Sequence, residues 1–274
     1  MDSEQNNIVK KHLIKLEKWF LDQEQTLTAF SGGIDSSLVL YLSRYFLGEK
    51  GIGCISLSPS LKTKDYNDAV QFCKKYDIQL ETIKTSELND DNYLSNPSNR
   101  CYFCKNHLYM GLEELRPKYP NHTLLNGANL DDLGDYRPGL QSAKEFKILS
   151  PLVECGIDKQ AVRAIAKYMG LTHWDKPASP CLSSRVPYGS SITFDKLKQI
   201  EEAEYILNGY GFEDVRVRHY GEEARVEVPA DELPKLKAVF ADASEEIKKL
   251  GFESCTIDDE GLVSGKLNRV LNEQ

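Results

Sequence analysis

The chain of 274 residues lacks several features that define whole classes of protein. No apolar run approaches the ~20 residues that a helix needs to span a bilayer, so no membrane partner is expected. The polar, acidic N-terminus has neither the basic nor the apolar region of a signal peptide. Seven cysteines, an odd number, then favour thiols or metal ligands over a disulfide framework. Together these absences predict a cytoplasmic protein.

An excess of basic residues is also lacking. The chain has 34 Lys and Arg against 42 Asp and Glu, a formal net charge of −8, which argues against a nucleic-acid partner. Residues 190–274 contain 11 basic and 19 acidic side chains, whereas residues 1–189 contain 23 of each. This change in charge predicts two domains, 1–189 and 190–274.

Neither an internal repeat nor a low-complexity tract is present, and strand and helix patterns alternate along the first domain. Short apolar runs predict strands at 26–30, 52–57, 78–84 and 122–126. Helical spacing predicts helices at 4–21, 36–47, 64–76, 106–116 and 158–169. Such alternation predicts an α/β fold with a mostly parallel sheet and helices on both faces. The second domain is predicted as a small α+β unit with helix 193–208, strands 214–219 and 224–228, helix 231–250 and strand 254–257.

A phosphate-binding loop is predicted where the first strand meets the second helix, in the segment Phe-Ser-Gly-Gly-Ile-Asp-Ser-Ser. Gly32 and Gly33 allow the backbone to approach an anion closely, and Ser31 and Ser36 add hydroxyl donors. The helix start supplies N–H groups and a positive dipole end. Asp35 can hold Mg²⁺ that bridges phosphates. The alternative is an ordinary capped turn between strand and helix.

Ser-Gly-Gly-x-Asp-Ser after a strand resembles the signature of the PP-loop ATP pyrophosphatase superfamily at all five specified positions. The resemblance implies the adenine nucleotide alpha-hydrolase-like fold, with ATP and Mg²⁺ as cofactors. It implies cleavage of ATP between the α- and β-phosphates and transfer of AMP to a carboxylate, carbonyl or amide-type oxygen. Further ATP contacts are implied at Ala29, Ser56, Ser58 and Gly127, at the carboxyl ends of strands.

The cysteines bear on which nucleophile would displace AMP. Cys101 and Cys104 form a C-x₂-C pair at the start of a helix, and Cys181 lies in a loop rich in Pro, Ser and Gly. Three interpretations stay open for them: a [4Fe–4S] cluster with one open iron, a structural Zn²⁺ site with a further ligand, or a redox dithiol at the pair. The other four are predicted to be buried as small hydrophobic residues: Cys54, Cys73, Cys155 and Cys255.

Three motifs narrow the resemblance: Asp-Tyr-Arg-Pro-Gly at 135–139, Ser-Ser-Arg-x-Pro-Tyr-Gly at 183–189 and Val-Arg-Val-Arg at 215–218. Over nearly its whole length the chain resembles the LarE-type sulfur transferases, which build the nickel-pincer cofactor of lactate racemase. The resemblance implies adenylation of a carboxylate of pyridinium-3,5-biscarboxylic acid mononucleotide with release of pyrophosphate. It then implies replacement of oxygen by sulfur to give a thiocarboxylate. A homo-oligomer is implied as well.

One branch of that family sacrifices the sulfur of its own cysteine in an Ala-Ser-Cys turn. This chain differs from that branch in two ways. Pro180 stands at the position of the sacrificed cysteine, and the chain has the pair Cys101 and Cys104, which that branch lacks. The chain is similar instead to the branch in which three cysteines hold a [4Fe–4S] cluster whose open iron carries a hydrosulfide. That resemblance implies Cys101, Cys104 and Cys181 as metal ligands, with sulfide or another sulfur donor as a partner.

Charged residues are predicted to meet the substrate and the nucleotide. Arg216 and Arg218 lie two apart on a predicted strand and so point to one face, where paired guanidiniums suit a phosphate or carboxylate. The alternative is ordinary solvent-facing alternation. Arg185, near Cys181 in sequence, is predicted to meet an anionic substrate. Lys105 is predicted to neutralise pyrophosphate or to lower a thiol pKa.

Several acidic residues complete the predicted site. The family resemblance implies a catalytic role for Glu204 and substrate binding by Asp258, with surface ion pairing as the alternative. Asp131, Asp132 and Asp135 fit either a solvated acidic loop or a metal site. The five histidines share no metal spacing and are assigned no role. The predicted catalytic set is therefore Asp35, Cys101, Cys104, Cys181, Arg185 and Glu204.

The sequence also fits three other functions. A PP-loop tRNA thiolase would also use three cysteines, although the acidic second domain and the lack of a basic arm argue against it. An ammonia-dependent amidating synthetase would need no iron. A nucleotide-sensing module would bind ATP without turning it over.

Overall fold

The computed structural model describes residues 3–134, 137–177, 179–263 and 265–271, and the chain divides into two compact units. The first comprises Met1–Glu87 and Cys101–Ser179, and the second comprises Leu88–Arg100 and Pro180–Gln274. These units differ from the predicted domains in two respects. The chain leaves the first unit at Ser179 rather than at residue 189, and the segment 88–100 belongs to the second unit. In the described ranges no helix is long and apolar enough to cross a membrane.

The first unit contains four strands and most of the helices. Its strands are β1 (Thr26–Ala29), β2 (Gly51–Leu57), β3 (Leu80–Lys84) and β4 (Thr123–Leu125). Its helices are α1 (Ser3–Leu21), α2 (Ile34–Leu47), α3 (Thr63–Lys75), α5 (Arg100–Glu114, which begins at the last residue of the segment 88–100), α6 (Pro138–Glu145), α7 (Pro151–Glu154) and α8 (Lys159–Tyr168).

The four strands form one sheet in the order β3-β2-β1-β4, and every pair is parallel. Thr26 of β1 stands opposite Gly51 on one side and Thr123 on the other. Because parallel neighbours need a crossover, each strand is followed by helical segments that return the chain to the amino end of the sheet. The sheet and its flanking helices confirm the predicted α/β fold.

Apolar side chains pack on both faces of this sheet. Leu125 belongs to a cluster with residues of α1, α2, α3 and α8, whereas the preceding Leu124 belongs to a cluster with residues of α5 and α6. Successive side chains of a strand point to opposite faces, so helices cover both sides. Asp158 caps α8, because its carboxylate accepts the N–H of Ala161 at 2.7 Å.

The second unit is a small α+β structure. It contains α4 (Asp91–Leu94), α9 (Phe194–Gly209), β5 (Arg216–Tyr220), β6 (Glu223–Glu227), α10 (Leu233–Lys248) and β7 (Ser254–Ile257). β5 and β6 form an antiparallel hairpin, and β7 pairs parallel to β6 after the crossover through α10. Leu207 of α9, Val217 of β5 and Ile247 of α10 are fully buried in its core.

The main differences from the predicted elements lie at one helix start and in the loops. α5 begins at Arg100 rather than at the predicted residue 106. The sequence pattern does not indicate the first turn, because this turn is half-exposed and shows no apolar periodicity. The helices α4, α6 and α7 were not predicted, because one or two turns are too short for a periodic signal. Proline at the first position of α6 and of α7 favours these short helices locally.

Candidate active site

The predicted phosphate loop joins β1 to α2. Gly32 has φ of +74°, a left-handed conformation that glycine adopts readily, and Gly33 is the N-cap of α2. Ser36 Oγ accepts the N–H of Ser31 at 3.2 Å and donates to the carbonyl oxygen of Gly33 at 3.1 Å. Ser31 Oγ lies 3.0 Å from Ser36 Oγ. These bonds hold a compact turn at a helix N-terminus, where backbone N–H groups and the helix dipole favour anions.

Gly127 packs against the first turn of α2 from the end of β4. A Cβ at this position would lie 2.5 Å from the backbone nitrogen of Ser36 and 2.7 Å from its Cα. Real Cβ atoms do not approach backbone so closely, so only glycine lets the chain after β4 run beside the loop. The structure thus brings Gly127 to the phosphate loop, and its contact with AMP stays a prediction.

The carboxylate of Asp35 is held on both oxygens. Oδ2 forms an ion pair with Nζ of Lys159, and Oδ1 accepts Nδ2 of Asn129 at 3.2 Å. Neither partner is among the residues predicted from the sequence. Asn129 lies two residues after Gly127, so its position next to the loop could have been inferred. Lys159 gave no such signal, because 124 positions separate it from Asp35.

The acidic side chains of the loop after Gly127 accept hydrogen bonds from nearby backbone N–H groups. Asp131 Oδ2 accepts the N–H of Lys159 at 2.9 Å, and Asp132 Oδ2 accepts the N–H of Asn129 at 3.1 Å. Asp132 also pairs with Arg137 at 2.9 Å. These contacts are those expected of a loop-forming acidic segment. Asp135 and Tyr136, and likewise Ala178 before Cys181, lie outside the described residues.

The other predicted ATP contacts lie at or just after the carboxyl ends of β1 and β2, on the same edge as the phosphate loop. Ala29 is the last residue of β1 and is buried. Ser56 Oγ lies 2.7 Å from Thr85 Oγ1, and the Ser58 hydroxyl donates to the buried carboxylate of Glu87. Ligands of parallel α/β sheets bind at this edge, so the arrangement suits an adenine nucleotide.

Two of the three predicted cluster ligands are adjacent. Cys101 and Cys104 lie one turn apart at the start of α5, with Cys101 exposed and Cys104 half-buried. Cys181 belongs to the second unit, where it is half-buried and caps the 3₁₀ turn Leu182–Arg185. Among the described residues, no three His, Cys, Asp or Glu side chains form a group that could hold a metal ion. The pair suits neighbouring ligands of one cluster, and the three-ligand set stays a prediction.

Burial is predicted for the other four cysteines, and the structure buries three of them. Cys54, Cys73 and Cys155 are buried, and Cys255 is half-buried against the core of the second unit. Burial raises the thiol pKa of Cys54 and Cys73 to about 12, and that of Cys155 and Cys255 to about 11. These four therefore stay protonated near neutral pH and are poor nucleophiles or ligands.

Lys105 follows Cys104 on α5, and α6 packs on its stem. A Cβ at Gly139 would lie 2.9 Å from Cγ of Lys105. The ammonium group of Lys105 lies 6.0 Å from the ring centroid of Tyr109. The close approach of α6 thus fixes the aliphatic stem, while a contact with pyrophosphate stays a prediction.

Arg185 of the second unit is almost fully buried. Its Nε donates to Glu204 Oε1 at 2.8 Å, and its NH1 group donates to the carbonyl oxygen of Pro180 at 2.7 Å. Glu204 Oε1 also accepts the backbone N–H of Val217 at 3.2 Å. The surface ion pair considered for Glu204 is therefore wrong, because Glu204 is a buried partner that orients Arg185 and joins α9 to β5.

Arg216 and Arg218 are buried as well, which rules out ordinary solvent-facing alternation. Arg218 donates to Glu227 Oε2 at 2.8 Å and to the carbonyl oxygen of Ser184 at 2.7 Å. Within the described residues no carboxylate lies within ion-pair distance of Arg216. Burial, followed by the charges of Arg185 and Arg218, lowers the pKa of the Arg216 guanidinium. Asp214 and Glu227 act in the opposite direction, so Arg216 is a buried cation whose acidic neighbours in the described part of the chain lie beyond ion-pair distance.

Asp258 is linked to the same group of charges through a lysine that the sequence analysis missed. Lys266 Nζ lies 2.8 Å from Asp258 Oδ2 and 3.4 Å from Glu227 Oε1. Glu227 in turn pairs with Arg218. Asp258 therefore acts in this structure as a partner of Lys266, and a direct substrate contact stays a prediction.

The segment 88–100 holds the loop that carries Arg185. The side-chain amide of Asn96 donates to the carbonyl oxygens of Val186, Pro187 and Ser190 at 3.2, 2.7 and 3.1 Å. Asn96 is fully buried and has φ of +52°, in the left-handed region. This hub gave no signal in the sequence, since its bonds join positions about ninety residues apart.

A parallel sheet whose first strand runs through Ser-Gly-Gly into a helix start, with Asp35 and Ser36 in that start, defines a PP-loop α/β protein. The family model described as NAD synthase matches residues 14–95, the part that contains the loop.

Relatives extend the similarity over the whole chain. The uncharacterized protein slr1717 of Synechocystis sp. is 40% identical over 97% of this chain and 100% of its own. Pyridinium-3,5-bisthiocarboxylic acid mononucleotide synthase of Lactiplantibacillus plantarum is 32% identical over 92% of both chains. The uncharacterized protein MJ0830 of Methanocaldococcus jannaschii is 32% identical over 90% of this chain and 96% of its own. The chain therefore belongs to the LarE-type family of the L. plantarum synthase.

Proposed function

We propose that this protein is an ATP-dependent sulfurtransferase of nickel-pincer cofactor biosynthesis. It adenylates a carboxylate of pyridinium-3,5-biscarboxylic acid mononucleotide, releases pyrophosphate and converts that carboxylate to a thiocarboxylate. The observation that carries the proposal is the buried guanidinium of Arg216, which has no carboxylate within ion-pair distance among the described residues. In a chain whose first unit carries a phosphate loop, and which is a relative of the L. plantarum synthase, such a cation supports a substrate that is itself an anion.

In the adenylation step, a carboxylate oxygen of the substrate attacks the α-phosphorus of ATP. The bond from that phosphorus to the bridging oxygen breaks, and the electron pair leaves with pyrophosphate. The start of α2 supplies N–H groups, and Ser31 and Ser36 supply hydroxyls, for the phosphate oxygens. Asp35 would hold Mg²⁺, which neutralises phosphate charge when bound.

The arginines of the second unit would receive the anionic groups of the substrate. Arg185 and Arg218 already donate to Glu204 and Glu227, so they are fixed in place. Arg216 has donors to offer to a ligand phosphate or carboxylate, and charge-assisted hydrogen bonds are strongest where water is excluded. We assign Glu204 the role of holding Arg185 and the β5 backbone, and Asp258 the role of holding Lys266.

In the sulfur-transfer step, a hydrosulfide attacks the carbonyl carbon of the acyl adenylate. The bond from that carbon to the AMP oxygen breaks, so one sulfur replaces one oxygen and AMP leaves. Cys101, Cys104 and Cys181 are the residues that would hold a [4Fe–4S] cluster, which would supply a bound hydrosulfide. In support, these three thiols are exposed or half-buried, whereas the other four cysteines have apolar surroundings.

The variant Cys104→Ala tests the cluster. Its matched control is Cys255→Ala, which removes a thiol from an apolar position outside the predicted ligand set. Anaerobically reconstituted wild-type protein and Cys255→Ala should bind iron and transfer sulfur, and Cys104→Ala should do neither. Sulfur transfer by iron-free Cys104→Ala at the wild-type rate would contradict the cluster.

Pyrophosphate release tests the substrate class. A pyridinium mononucleotide that carries two carboxylates should stimulate release from ATP, and tRNA or ammonia should not. Stimulation by tRNA alone would replace the proposal with an RNA thiolase.

Family resemblance also supports a cytoplasmic homo-oligomer in which the first unit carries the ATP chemistry and the second unit binds the substrate. Light scattering of the purified protein measures the oligomer directly, and a monomer at assay concentrations would contradict it.

A further inference from the structure

The phosphate loop has no cation of its own. In residues 30–37 the only charged side chain is the acidic Asp35. A Walker-type loop carries a lysine within the loop, which reaches the outer phosphates of the nucleotide. A bound triphosphate adds further negative charge here, which favours a cation supplied from outside the loop.

Lys159 is the cation that the structure brings to this position. Its Nζ forms an ion pair with Asp35 Oδ2, directly at the start of α2. Asn129 holds the other oxygen of the same carboxylate at 3.2 Å. The Lys159 side chain remains 38% exposed, so its ammonium group keeps access to a ligand on the solvent side of the loop.

The backbone of Lys159 is fixed, whereas its long side chain is partly exposed beyond the ion pair with Asp35. Its N–H donates to Asp131 Oδ2 at 2.9 Å, and the preceding Asp158 caps the helix through Ala161. Val162, on the next turn of α8, is fully buried in the same apolar cluster as α2. A lysine on such a base is a mobile point charge with three donors.

We infer that Lys159 is a pyrophosphate-binding residue of the adenylation step. Before ATP binds, it is the counter-ion of Asp35. With ATP bound, the ammonium group turns to the β- and γ-phosphates and neutralises the charge that develops on them as the α-phosphorus bond breaks. The inference rests on the proposed function, because the adenylation step of that function releases pyrophosphate.

The test compares two ligands by calorimetry in the absence of turnover. Lys159→Met should weaken the binding of magnesium pyrophosphate at least about tenfold, as expected for a lost charge-assisted bond, and leave AMP binding within about twofold. Lys18→Met removes the same charge from an exposed position on α1 and should change neither affinity. If Lys159→Met does not fold, as judged by thermal unfolding, Lys159→Gln carries the same comparison.

The outcomes separate this inference from the proposed function. Equal losses of pyrophosphate and AMP binding would indicate a merely structural residue, and no loss of either would overturn the inference. A wild-type enzyme that binds both ligands but never releases pyrophosphate with a carboxylate substrate would contradict the proposed function, while the affinity comparison would still decide the role of Lys159.

Discussion

Arg185 and Glu204 form an ion pair in the second unit with side chains only 1% and 6% exposed, and their Nε and Oε1 atoms lie 2.8 Å apart. Removing one partner from such a pair leaves an uncompensated buried charge. Glu204→Gln is therefore expected to lower the free energy of unfolding by about 3–5 kcal/mol, measured by urea denaturation.

The matched control is Glu202→Gln, two residues away on α9, where the carboxylate is 47% exposed and 3.7 Å from Lys198. Its effect should stay within about 0.5 kcal/mol. The double variant Arg185→Met with Glu204→Leu should recover part of the lost stability, since it buries no charge. Equal effects of Glu204→Gln and Glu202→Gln would show that the buried pair is not coupled as described.

Gly127→Ala should disrupt the phosphate loop. The added Cβ would meet the backbone of Ser36 at 2.5 Å, so either β4 or α2 must shift. We expect a loss of about 1–3 kcal/mol in stability and, since small displacements at a reacting centre are costly, a fall of about 100-fold in pyrophosphate release. Gly134→Ala, which meets no atom within 4 Å, should behave as wild type. Full activity of Gly127→Ala would refute the close packing.

Arg216→Met should separate stability from substrate binding. Because the variant removes a buried cation that has no close ion pair among the described residues, the thermal midpoint should stay the same or rise. KM for the mononucleotide should rise about 10- to 100-fold, the equivalent of a lost charge-assisted hydrogen bond. Arg225→Met, which removes a partly exposed arginine paired with Glu223, is the control and should leave KM unchanged. An unchanged KM in Arg216→Met would exclude a substrate contact.

His219 should make the stability of the second unit depend on pH. Burial and the charge of Lys196 lower the pKa of this imidazole to about 4, and its Nδ1 has no hydrogen-bond partner in the described structure. Since the unfolded chain binds a proton near pH 6.5, the stabilisation is complete above that pH and is lost as pH falls toward 4. The loss amounts to about 3 kcal/mol at most.

The thermal midpoints of wild type and His219→Phe, followed from pH 7.5 to pH 4.5, measure this contribution. The difference between the two proteins should change in favour of His219→Phe as the pH falls, since phenylalanine takes up no proton. A difference that stays constant over the whole range would contradict the assignment of this titration to His219.

The features that could be predicted are those that a short stretch of sequence encodes. The alternation of strands and helices and the glycines of the phosphate loop are encoded within a few residues of each other, and the structure agrees with them. The ion pair of Lys159 with Asp35 and the hub at Asn96 join positions that are far apart in the chain, so no window of sequence contains them. The compact units divide at Ser179 and Pro180, ten residues before the charge change at residue 190, because residues 180–189 pack through Asn96 and Glu204 into the second unit.

Mass spectrometry of an anaerobic reaction tests the central claim most directly. Reconstituted protein is mixed with ATP, sulfide and pyridinium-3,5-biscarboxylic acid mononucleotide, and the products are weighed. The account predicts one sulfur-for-oxygen exchange on a substrate carboxylate, with AMP and pyrophosphate formed in equal amounts. An unchanged substrate mass while ATP is consumed, or a nitrogen-for-oxygen exchange when ammonia is present, would contradict it.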